Sequence, residues 1–344
     1  MNLKKPFFIA EISANHCGKF EIAKKLIKCA KVNGADAVKL QTFTPETMTI
    51  KSNKSFFKIK SGIWKGYDLW SLYDKAKTPL NWHKKLFTYG KKIGIQVFST
   101  PFDESSVDFL EELKCPIYKV SSFEMTDLSL IKKIALTKKP IIISTGTASL
   151  EEIKMSFNIA KKYGSKDITL LYCVSNYPSQ IKDFNLNNIK ILKNLFKCKV
   201  GLSDHSLDNK IAVAAISCGA EVIEKHIALK NQKQGLDINF SLRGDEIKIL
   251  RNEIDTAYKI LGKDYFYRSK SENNSKKFRR SLFAVRDIQK GDKFSSLNIK
   301  KIRPGYGISS AYYETLLNKK SPFLIKAETP ISKTIIHKLK LKLK

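Results

Sequence analysis

The sequence has no long apolar run, no closely spaced pair of cysteines and few acidic side chains. A membrane-spanning helix needs about 18 or more apolar residues in succession, so the sequence predicts a protein that is not embedded in a membrane. The basic start of the chain leads into an apolar stretch that Glu11 interrupts, which is too short for a secretory signal. We therefore expect a cytoplasmic protein.

The six cysteines are scattered, at positions 17, 29, 115, 173, 198 and 218. The C-x-x-C spacing of zinc ribbons and redox pairs is missing. Cys29, Cys173 and Cys218 lie in apolar stretches, which is typical of small buried core residues. We interpret all six as reduced thiols.

The shortage of acidic residues leaves a net charge of +31, from 63 Lys and Arg against 32 Asp and Glu. Such an excess is also found in nucleic-acid-binding proteins. The lysines are nevertheless spread along the whole chain, and many, such as Lys24, Lys25 and Lys28, lie on the outer faces of predicted helices. Solvated helix faces and some steering of an anionic substrate explain this pattern better, so we expect no nucleic-acid partner.

Short runs rich in Ile and Val alternate with amphipathic stretches as far as residue 262, which predicts a (β/α)₈ TIM barrel. The predicted strands cover 7–12, 36–41, 95–99, 116–121, 140–144, 168–173, 199–203 and 221–226. The predicted helices cover 20–33, 81–92, 104–113, 128–137, 150–163, 186–196, 209–218 and 244–261. A doubly wound open sheet is the rival fold, but no G-x-G-x-x-G follows the first strand.

Two segments interrupt or end this alternation. Residues 43–80 form a long connection that contains Trp64, Tyr67, Trp70 and Tyr73, and we expect it to cover a pocket. Beyond residue 262 the chain becomes polar and then resumes with short apolar segments and turn signals. We predict a barrel domain over 1–265, a linker over 266–280 and a small C-terminal domain over 281–344.

Polar residues recur where the predicted strands end, and the carboxyl ends of barrel strands are where such folds place their active sites. In chain order they are Glu11, Lys39 with Gln41, Ser99 with Thr100, Lys119 with Ser122 and Glu124, Ser144, Tyr177, Ser203 with His205, and Glu224 with His226.

Several of these residues also have a plainer structural explanation. A lysine such as Lys39 can extend its charged end out of an apolar core. Ser99 and Ser144 can cap the helices that follow them. A single histidine is more often structural than a metal ligand, but His205 and His226 together, on neighbouring strand ends, favour a metal site.

The mixture of side chains indicates a class of reaction. Lys39 and Lys119, with nearby hydroxyls and Gln41, suit a small molecule that carries both a phosphate and a carboxylate. Two histidines without a cysteine suit a divalent ion that polarises a carbonyl. With Glu11 and Glu124 available for acid-base chemistry, the set predicts condensation of an anionic enol donor with an aldehyde.

Several ordered motifs make the chain recognisable over essentially its whole length. They are A-E-I-S-A-N-H (10–16), G-A-D-A-V-K-L-Q-T-F (34–43), S-T-P-F-D (99–103), Y-K-V-S-S-F-E (118–124), I-S-T-G (143–146), G-L-S-D-H-S (201–206), I-E-K-H (223–226) and R-P-G-Y-G-I-S (303–309). The set resembles the sialic acid synthase family. The resemblance implies a TIM barrel followed by an antifreeze-protein-like domain, called SAF, in a domain-swapped homodimer.

The resemblance also implies substrates, a cofactor and their binding residues. Phosphoenolpyruvate would bind to residues of the strand ends, namely Lys39, Gln41, Thr100, Lys119, Ser122 and Ser144. A divalent ion, Mn²⁺ or Mg²⁺, would bind to His205 and His226.

The remaining implied residues concern the acceptor, an N-acetylated amino sugar. Glu11, Tyr177 and Asp237 would contact the sugar, and Glu124 would orient groups around the reacting enol and water. Arg303 would reach from the small domain into the partner subunit's barrel. Glu11, Glu124 and Lys119 are the residues that we expect to be catalytic.

One segment favours a particular branch of this family. Residues 61–79, S-G-I-W-K-G-Y-D-L-W-S-L-Y-D-K-A-K-T-P, resemble the pseudaminic acid synthase branch, which uses 2,4-diacetamido-2,4,6-trideoxy-L-altrose. Trp64 and Trp70 are also compatible with lid packing that never meets the sugar. Ser175 replaces an asparagine usual in the N-acetylneuraminate synthases, which disfavours N-acetylmannosamine. N-acetylneuraminate or legionaminate synthesis remains the alternative.

Overall fold

The computed structural model describes residues 5–342 of the chain. It divides into two compact units, which meet in the sequence between Gly262 and Lys263. The expected domain limits at 265 and 280 stay a prediction. Among the described residues, no helix is both long enough and apolar enough to cross a membrane.

The first unit is a closed barrel of eight parallel strands, which confirms the predicted fold. The strands are β1 Phe7–Glu11, β2 Ala37–Thr42, β3 Gln96–Pro101, β4 Tyr118–Val120, β5 Ile141–Ser144, β6 Ile168–Cys173, β7 Lys199–Asp204 and β8 Val222–Ala228. Each pairs with the next along the chain, and β1 closes the ring by pairing with β8, where Glu11 lies opposite His226. A short strand, β9 Leu242–Arg243, pairs in parallel with the end of β8.

Helices surround this barrel. They are α1 Phe20–Val32, α2 Pro45–Met48, α3 Leu69–Ala76, α4 Leu80–Ile93, α5 Glu104–Glu112, α6 Leu128–Leu136, α7 Leu150–Lys162, α8 Asn187–Phe196, α9 Asn209–Ser217 and α10 Glu246–Leu261.

Local sequence signals explain where these elements start and stop. The Asp103 carboxylate accepts a hydrogen bond from the Ser106 N–H at 2.9 Å and so caps α5. Ser149 and Glu152 form a reciprocal capping box at the start of α7. Strand β4 is the main departure, since it covers 118–120 instead of the predicted 116–121. Pro116 has no N–H to donate to a neighbouring strand, which accounts for the later start.

The long connection between β2 and α4 has structure of its own and covers a cleft, as the sequence predicts. It contains α2, α3 and a tight turn in which the Ile59 N–H bonds to the Tyr67 carbonyl at 2.9 Å. Its side chains, including Phe43, Ile59 and Trp64, line one wall of that cleft. We call residues 43–80 the cover segment.

The second unit has a hydrophobic core of its own, with Leu282, Phe294 and Ile299 among its buried residues. Strands β10 Ser281–Ala284 and β11 Ile299–Ile302 pair antiparallel. Its helices are α11 Lys270–Asn274, α12 Tyr313–Leu316 and α13 Lys333–Lys338. Part of the predicted linker is therefore helical, and the Lys277 carbonyl accepts a hydrogen bond from the Gly305 N–H at 2.8 Å.

Candidate active site

Two buried lysines and two buried carboxylates lie side by side inside the barrel, near the carboxyl ends of its strands. Lys39 on β2 pairs with Glu11 on β1. The Glu224 Oε1 atom on β8 lies 3.5 Å from Lys119 Nζ and 3.9 Å from Lys39 Nζ. All four side chains are almost fully buried. Lys39 and Lys119 therefore approach the same carboxylate, that of Glu224.

Glu224 is the residue of this group to which the sequence assigned no role. Its Oε1 atom also accepts a hydrogen bond from Ser203 at 3.1 Å. It joins strands β2, β4, β7 and β8, which are separated widely in the sequence. Side chains alternate between the two faces of a strand, so Glu224 and His226 on β8 point to the same face. This spacing was the signal in the sequence that could have placed Glu224 in the site.

Burial and charge together set the ionisation of these groups. Burial opposes ionisation of Glu224, but attraction to Lys119 and Lys39 outweighs it and lowers the Glu224 pKa. Burial likewise opposes the charge on Lys39, yet Glu11 and Glu224 raise the Lys39 pKa. Burial lowers the pKa of Lys119 despite the attraction of Glu224. For Glu11, burial dominates over the Lys39 charge and raises the pKa to about 7.

Hydroxyl groups surround the two lysines. Lys39 Nζ donates to Thr100 Oγ1 at 3.2 Å, and Lys119 Nζ donates to Ser144 Oγ at 2.7 Å. The Ser122 hydroxyl accepts a hydrogen bond from the Gly146 N–H at 3.2 Å. We call the lysines and these hydroxyls the anion cradle.

Gly146 allows the Ser122 and Ser175 hydroxyl groups to lie close to the backbone on one side of the anion cradle. A Cβ atom there would lie 2.1 Å from Ser175 Oγ and 2.7 Å from Ser122 Oγ. Any larger residue would push these hydroxyls apart, so the I-S-T-G motif has a steric reason to end in glycine.

His205 and His226 lie next to each other, with ring centroids 5.3 Å apart. His226 Nδ1 is buried and lies 3.5 Å from Asp237 Oδ2, and it has no hydrogen-bond partner within residues 5–342. Burial holds the His226 pKa well below its usual range, so the ring is neutral and its lone pair is available. Burial also disfavours the charged form of His205, but the neighbouring Cys173 raises the His205 pKa.

This arrangement fits a divalent metal ion, because an orphaned imidazole nitrogen beside a carboxylate is a suitable ligand set. The fit is partial: in the described part of the chain, no group of three or more His, Cys, Asp or Glu side chains converges as a complete metal site. Two protein ligands would leave several coordination positions to water or substrate.

A cleft of about 350 Å³ opens above these groups, between the strand ends and the cover segment. Its polar lining includes two of the predicted acceptor residues, Tyr177 and Asp237, together with Gln41, Glu124 and His226, which were predicted for other roles. Much of the remaining wall is apolar and comes from Phe43, Met48, Ile59, Trp64, Leu69, Leu72, Phe102 and Phe240. The cleft thus combines a few polar and ionisable side chains with a largely apolar wall.

Two carboxyl groups of this cleft have raised pKa values. Burial raises the pKa of Glu124 to about 7, and Ser121 donates a hydrogen bond to this carboxyl. Burial also raises the pKa of Asp237, although Ser13 donates a hydrogen bond to it. A carboxyl group that titrates near pH 7 can exchange protons with a substrate or a water molecule.

Arg303 is the predicted site residue that does not belong to the first unit. It follows β11 in the second unit and its side chain is exposed. Its predicted contact with the acceptor in a partner subunit stays a prediction. All the other predicted site residues lie at the carboxyl end of the barrel.

A parallel barrel with an anion cradle, a histidine pair and titratable carboxyl groups at its carboxyl end defines a class, that of enzymes acting on small anionic substrates. Comparison with known proteins identifies the family. Residues 26–265 match the NeuB family and residues 279–334 match the SAF domain. The chain therefore belongs to the NeuB family and carries a SAF domain, which confirms the predicted resemblance.

Similar proteins define the enzyme class more closely. A pseudaminic acid synthase of Campylobacter jejuni is 43% identical over 92% of this chain and 93% of its own length. An N,N'-diacetyllegionaminic acid synthase of the same species is 41% identical over 92% of this chain and 96% of its own. The solved N-acetylneuraminic acid synthetase of Leptospira borgpetersenii is 32% identical, with a TM-score of 0.72, over 79% of this chain and 90% of its own. The chain is an enzyme of the phosphoenolpyruvate-dependent nonulosonic acid synthase class.

Proposed function

We propose that the enzyme is a pseudaminic acid synthase, which condenses phosphoenolpyruvate with 2,4-diacetamido-2,4,6-trideoxy-L-altrose and releases phosphate. The observation that carries the choice of branch is the segment of residues 61–79, whose Trp64 lines the cleft. The apolar wall of the cleft adds a preference for a sugar with few free hydroxyl groups. A sugar with two acetamido methyls and a 6-methyl group would bury apolar surface there, at about 0.8 kcal/mol for each carbon removed from water. N-acetylmannosamine would instead place free hydroxyls against apolar side chains, which costs hydrogen bonds to water.

The anion cradle would hold phosphoenolpyruvate. Lys39 and Lys119 supply positive charge, and Thr100, Ser122 and Ser144 supply hydroxyl groups around it. Hydrogen bonds from charged donors to phosphate and carboxylate are about twice as strong as neutral ones. Gln41, on the cleft wall, would complete this site from the side of the acceptor.

His205 and His226 would hold a divalent ion, Mn²⁺ or Mg²⁺. When bound, the ion supplies a Lewis acid that polarises the open-chain aldehyde. Asp237, whose Oδ2 atom lies 3.5 Å from His226 Nδ1, would contact the acceptor beside the ion. Tyr177, whose ring centroid lies 4.5 Å from that of His205, would support the sugar from the same side.

The reaction that we propose forms one carbon-carbon bond and breaks one carbon-oxygen bond. C3 of phosphoenolpyruvate attacks the aldehyde carbon, and water adds at C2. Glu124, whose pKa is about 7, takes the proton from that water, and this proton is returned to the aldehyde oxygen, which becomes the new hydroxyl group. The tetrahedral intermediate then releases phosphate by cleavage of the bond between C2 and the bridging oxygen, leaving the 2-keto acid. Glu11, protonated in part because its pKa is about 7, contacts the acceptor.

A domain-swapped homodimer is part of this proposal. In it, Arg303 of one protomer would touch the sugar bound by its partner. The support is the R-P-G-Y-G-I-S motif within the matched SAF domain.

Legionaminate synthesis is the second candidate, because the legionaminic acid synthase relative is almost as similar as the pseudaminic acid synthase relative. The test is phosphate release from phosphoenolpyruvate and Mn²⁺ with three acceptors in turn: the L-altro sugar, the legionaminate precursor and N-acetylmannosamine. We expect the highest kcat/KM with the L-altro sugar and no release without acceptor. A higher kcat/KM with either other sugar would overturn the assignment.

A further inference from the structure

Trp64 is held at the tip of a turn in the cover segment. The Gly66 N–H bonds to the Ile59 carbonyl at 3.2 Å, and the Lys65 N–H bonds to the Gly62 carbonyl at 3.2 Å. Gly62 and Gly66 have φ angles of 80° and 98°, a region that favours glycine. The turn therefore has a defined backbone, which fixes where the indole of Trp64 is presented.

The indole makes two contacts outside the cover segment. Its Nε1–H donates a hydrogen bond to the Leu236 carbonyl at 3.0 Å, and its ring centroid lies 5.4 Å from that of Tyr177. Leu236 directly precedes Asp237, the carboxylate beside His226. Tyr177 in turn packs against His205 and Phe240. One side chain thus links the cover segment to both acceptor-side residues, Tyr177 and Asp237.

The loop of residues 229–237 has its other attachments on the barrel side. The Gln232 side chain donates to the Asn15 carbonyl at 2.6 Å, and the Asp237 N–H donates to Asn15 Oδ1 at 3.3 Å. A Cβ atom on Gly235 would lie 2.5 Å from Asn15 Oδ1, so this part of the loop is tightly fitted. The bond from Trp64 ties the end of the loop to the opposite wall of the cleft.

The two lysines of the anion cradle make none of their contacts with Trp64, Tyr177 or Leu236. Lys39 and Lys119 bond to Thr100, Ser144 and the buried carboxylates. A change at Trp64 should therefore disturb the acceptor side of the site and leave the phosphoenolpyruvate side in place.

We propose that Trp64 is a positioning residue for the acceptor: its hydrogen bond to Leu236 and its contact with Tyr177 hold the cover segment, Asp237 and Tyr177 in one arrangement. The inference rests on the proposed function only in placing the acceptor sugar in this cleft. The indole ring of Trp64 forms part of the cleft wall, and its Nε1–H fixes the position of the 229–237 loop.

Steady-state kinetics of Trp64→Phe and Trp64→Ala test this role. Phenylalanine keeps an aromatic ring but loses the donor, and loss of one hydrogen bond should raise the acceptor KM about fivefold. Alanine also removes the ring contact with Tyr177, so we expect an increase of more than about tenfold. The KM for phosphoenolpyruvate should change less than about twofold in both. Equal changes in the two KM values, or none, would overturn the proposal.

Trp70→Phe is the matched control, because Trp70 belongs to the same cover segment but does not line the cleft. We expect its acceptor KM to match that of the unchanged enzyme. Thermal unfolding of each variant separates a loss of fold from a local effect.

Hydrogen exchange of residues 229–237 without any substrate gives a readout independent of the sugar. We expect faster amide exchange in Trp64→Phe than in the unchanged enzyme or Trp70→Phe. Unchanged exchange would show that the bond to Leu236 does not order the loop. If none of the three sugars supported phosphate release, the proposed function would fail, while the exchange measurement would still decide the role of Trp64.

Discussion

Replacing Glu224 by Gln removes a buried negative charge and leaves the shape of the side chain nearly unchanged. Glu224 Oε1 lies 3.5 Å from Lys119 Nζ and 3.9 Å from Lys39 Nζ. With an effective dielectric constant of about 20, each attraction is about 4 to 5 kcal/mol. Because the variant also avoids the cost of burying a carboxylate, we expect a smaller net loss, about 3 to 5 kcal/mol in the free energy of unfolding.

Thermal and urea unfolding measure this loss. For a domain of this size, each kcal/mol lost from the free energy of unfolding lowers the Tm by roughly 2–4 °C. We therefore expect the Tm to fall on the order of 10 °C. Glu151→Gln is the matched control. Its carboxylate pairs with Lys154 at 2.7 Å, but both side chains are largely exposed. Exposed pairs of this kind contribute at most about 1 kcal/mol.

The same variant should respond more strongly to anions. Without Glu224, the charges of Lys39 and Lys119 are less compensated, so inorganic phosphate should bind more tightly and raise the Tm of Glu224→Gln more than that of the unchanged enzyme. The refuting result is a variant within about 1 kcal/mol of the unchanged enzyme, with the same phosphate response. Glu224 would then not be the counter-charge of the anion cradle.

The other predictions concern a buried histidine, the metal site and the second unit. His83 is buried on α4, with its Nε2 atom 2.8 Å from Thr42 Oγ1. Burial lowers the pKa of His83 from 6.5 to about 4, so its contribution to stability is complete above pH 6.5 and is lost as the pH falls toward 4. That contribution should fall by about 2 kcal/mol between pH 7 and pH 5. In urea unfolding, the free energy of unfolding of His83→Gln should therefore depend less on pH than that of the unchanged enzyme, and an equal dependence would contradict this. His226→Ala should lose metal-dependent phosphate release while keeping its circular dichroism spectrum, and retained turnover would remove His226 from the site. Arg303→Ala should lose sugar-dependent activity while Lys301→Ala keeps it. If Arg303 acts in the partner's barrel, mixing Arg303→Ala and His226→Ala subunits should restore turnover, and a mixture as inactive as its parts would argue against that arrangement.

The fold was predictable from the sequence because its signals are local. Runs of Ile and Val mark strands buried on both faces, and side chains such as Ser149 and Asp103 mark where helices begin. Strand β4 was predicted too long because an apolar run does not distinguish a paired residue from Pro116.

The candidate site was predictable only in part. The rule that barrel strands deliver their chemistry at the carboxyl end located the lysines and histidines. It could not show that Glu224 lies between Lys39 and Lys119, because that contact depends on how distant strands pack across the barrel. The bond from Trp64 to Leu236 spans 172 residues, and no local pattern signals it.

The condensation itself can be followed with phosphoenolpyruvate that carries ¹⁸O in its bridging oxygen, together with 2,4-diacetamido-2,4,6-trideoxy-L-altrose and Mn²⁺. Mass spectrometry of both products reports which bonds form and break. We predict a nine-carbon keto acid joined through C3 of phosphoenolpyruvate, with the ¹⁸O retained in the released phosphate. Label in the sugar acid, or phosphate without a carbon-carbon product, would contradict the proposed reaction.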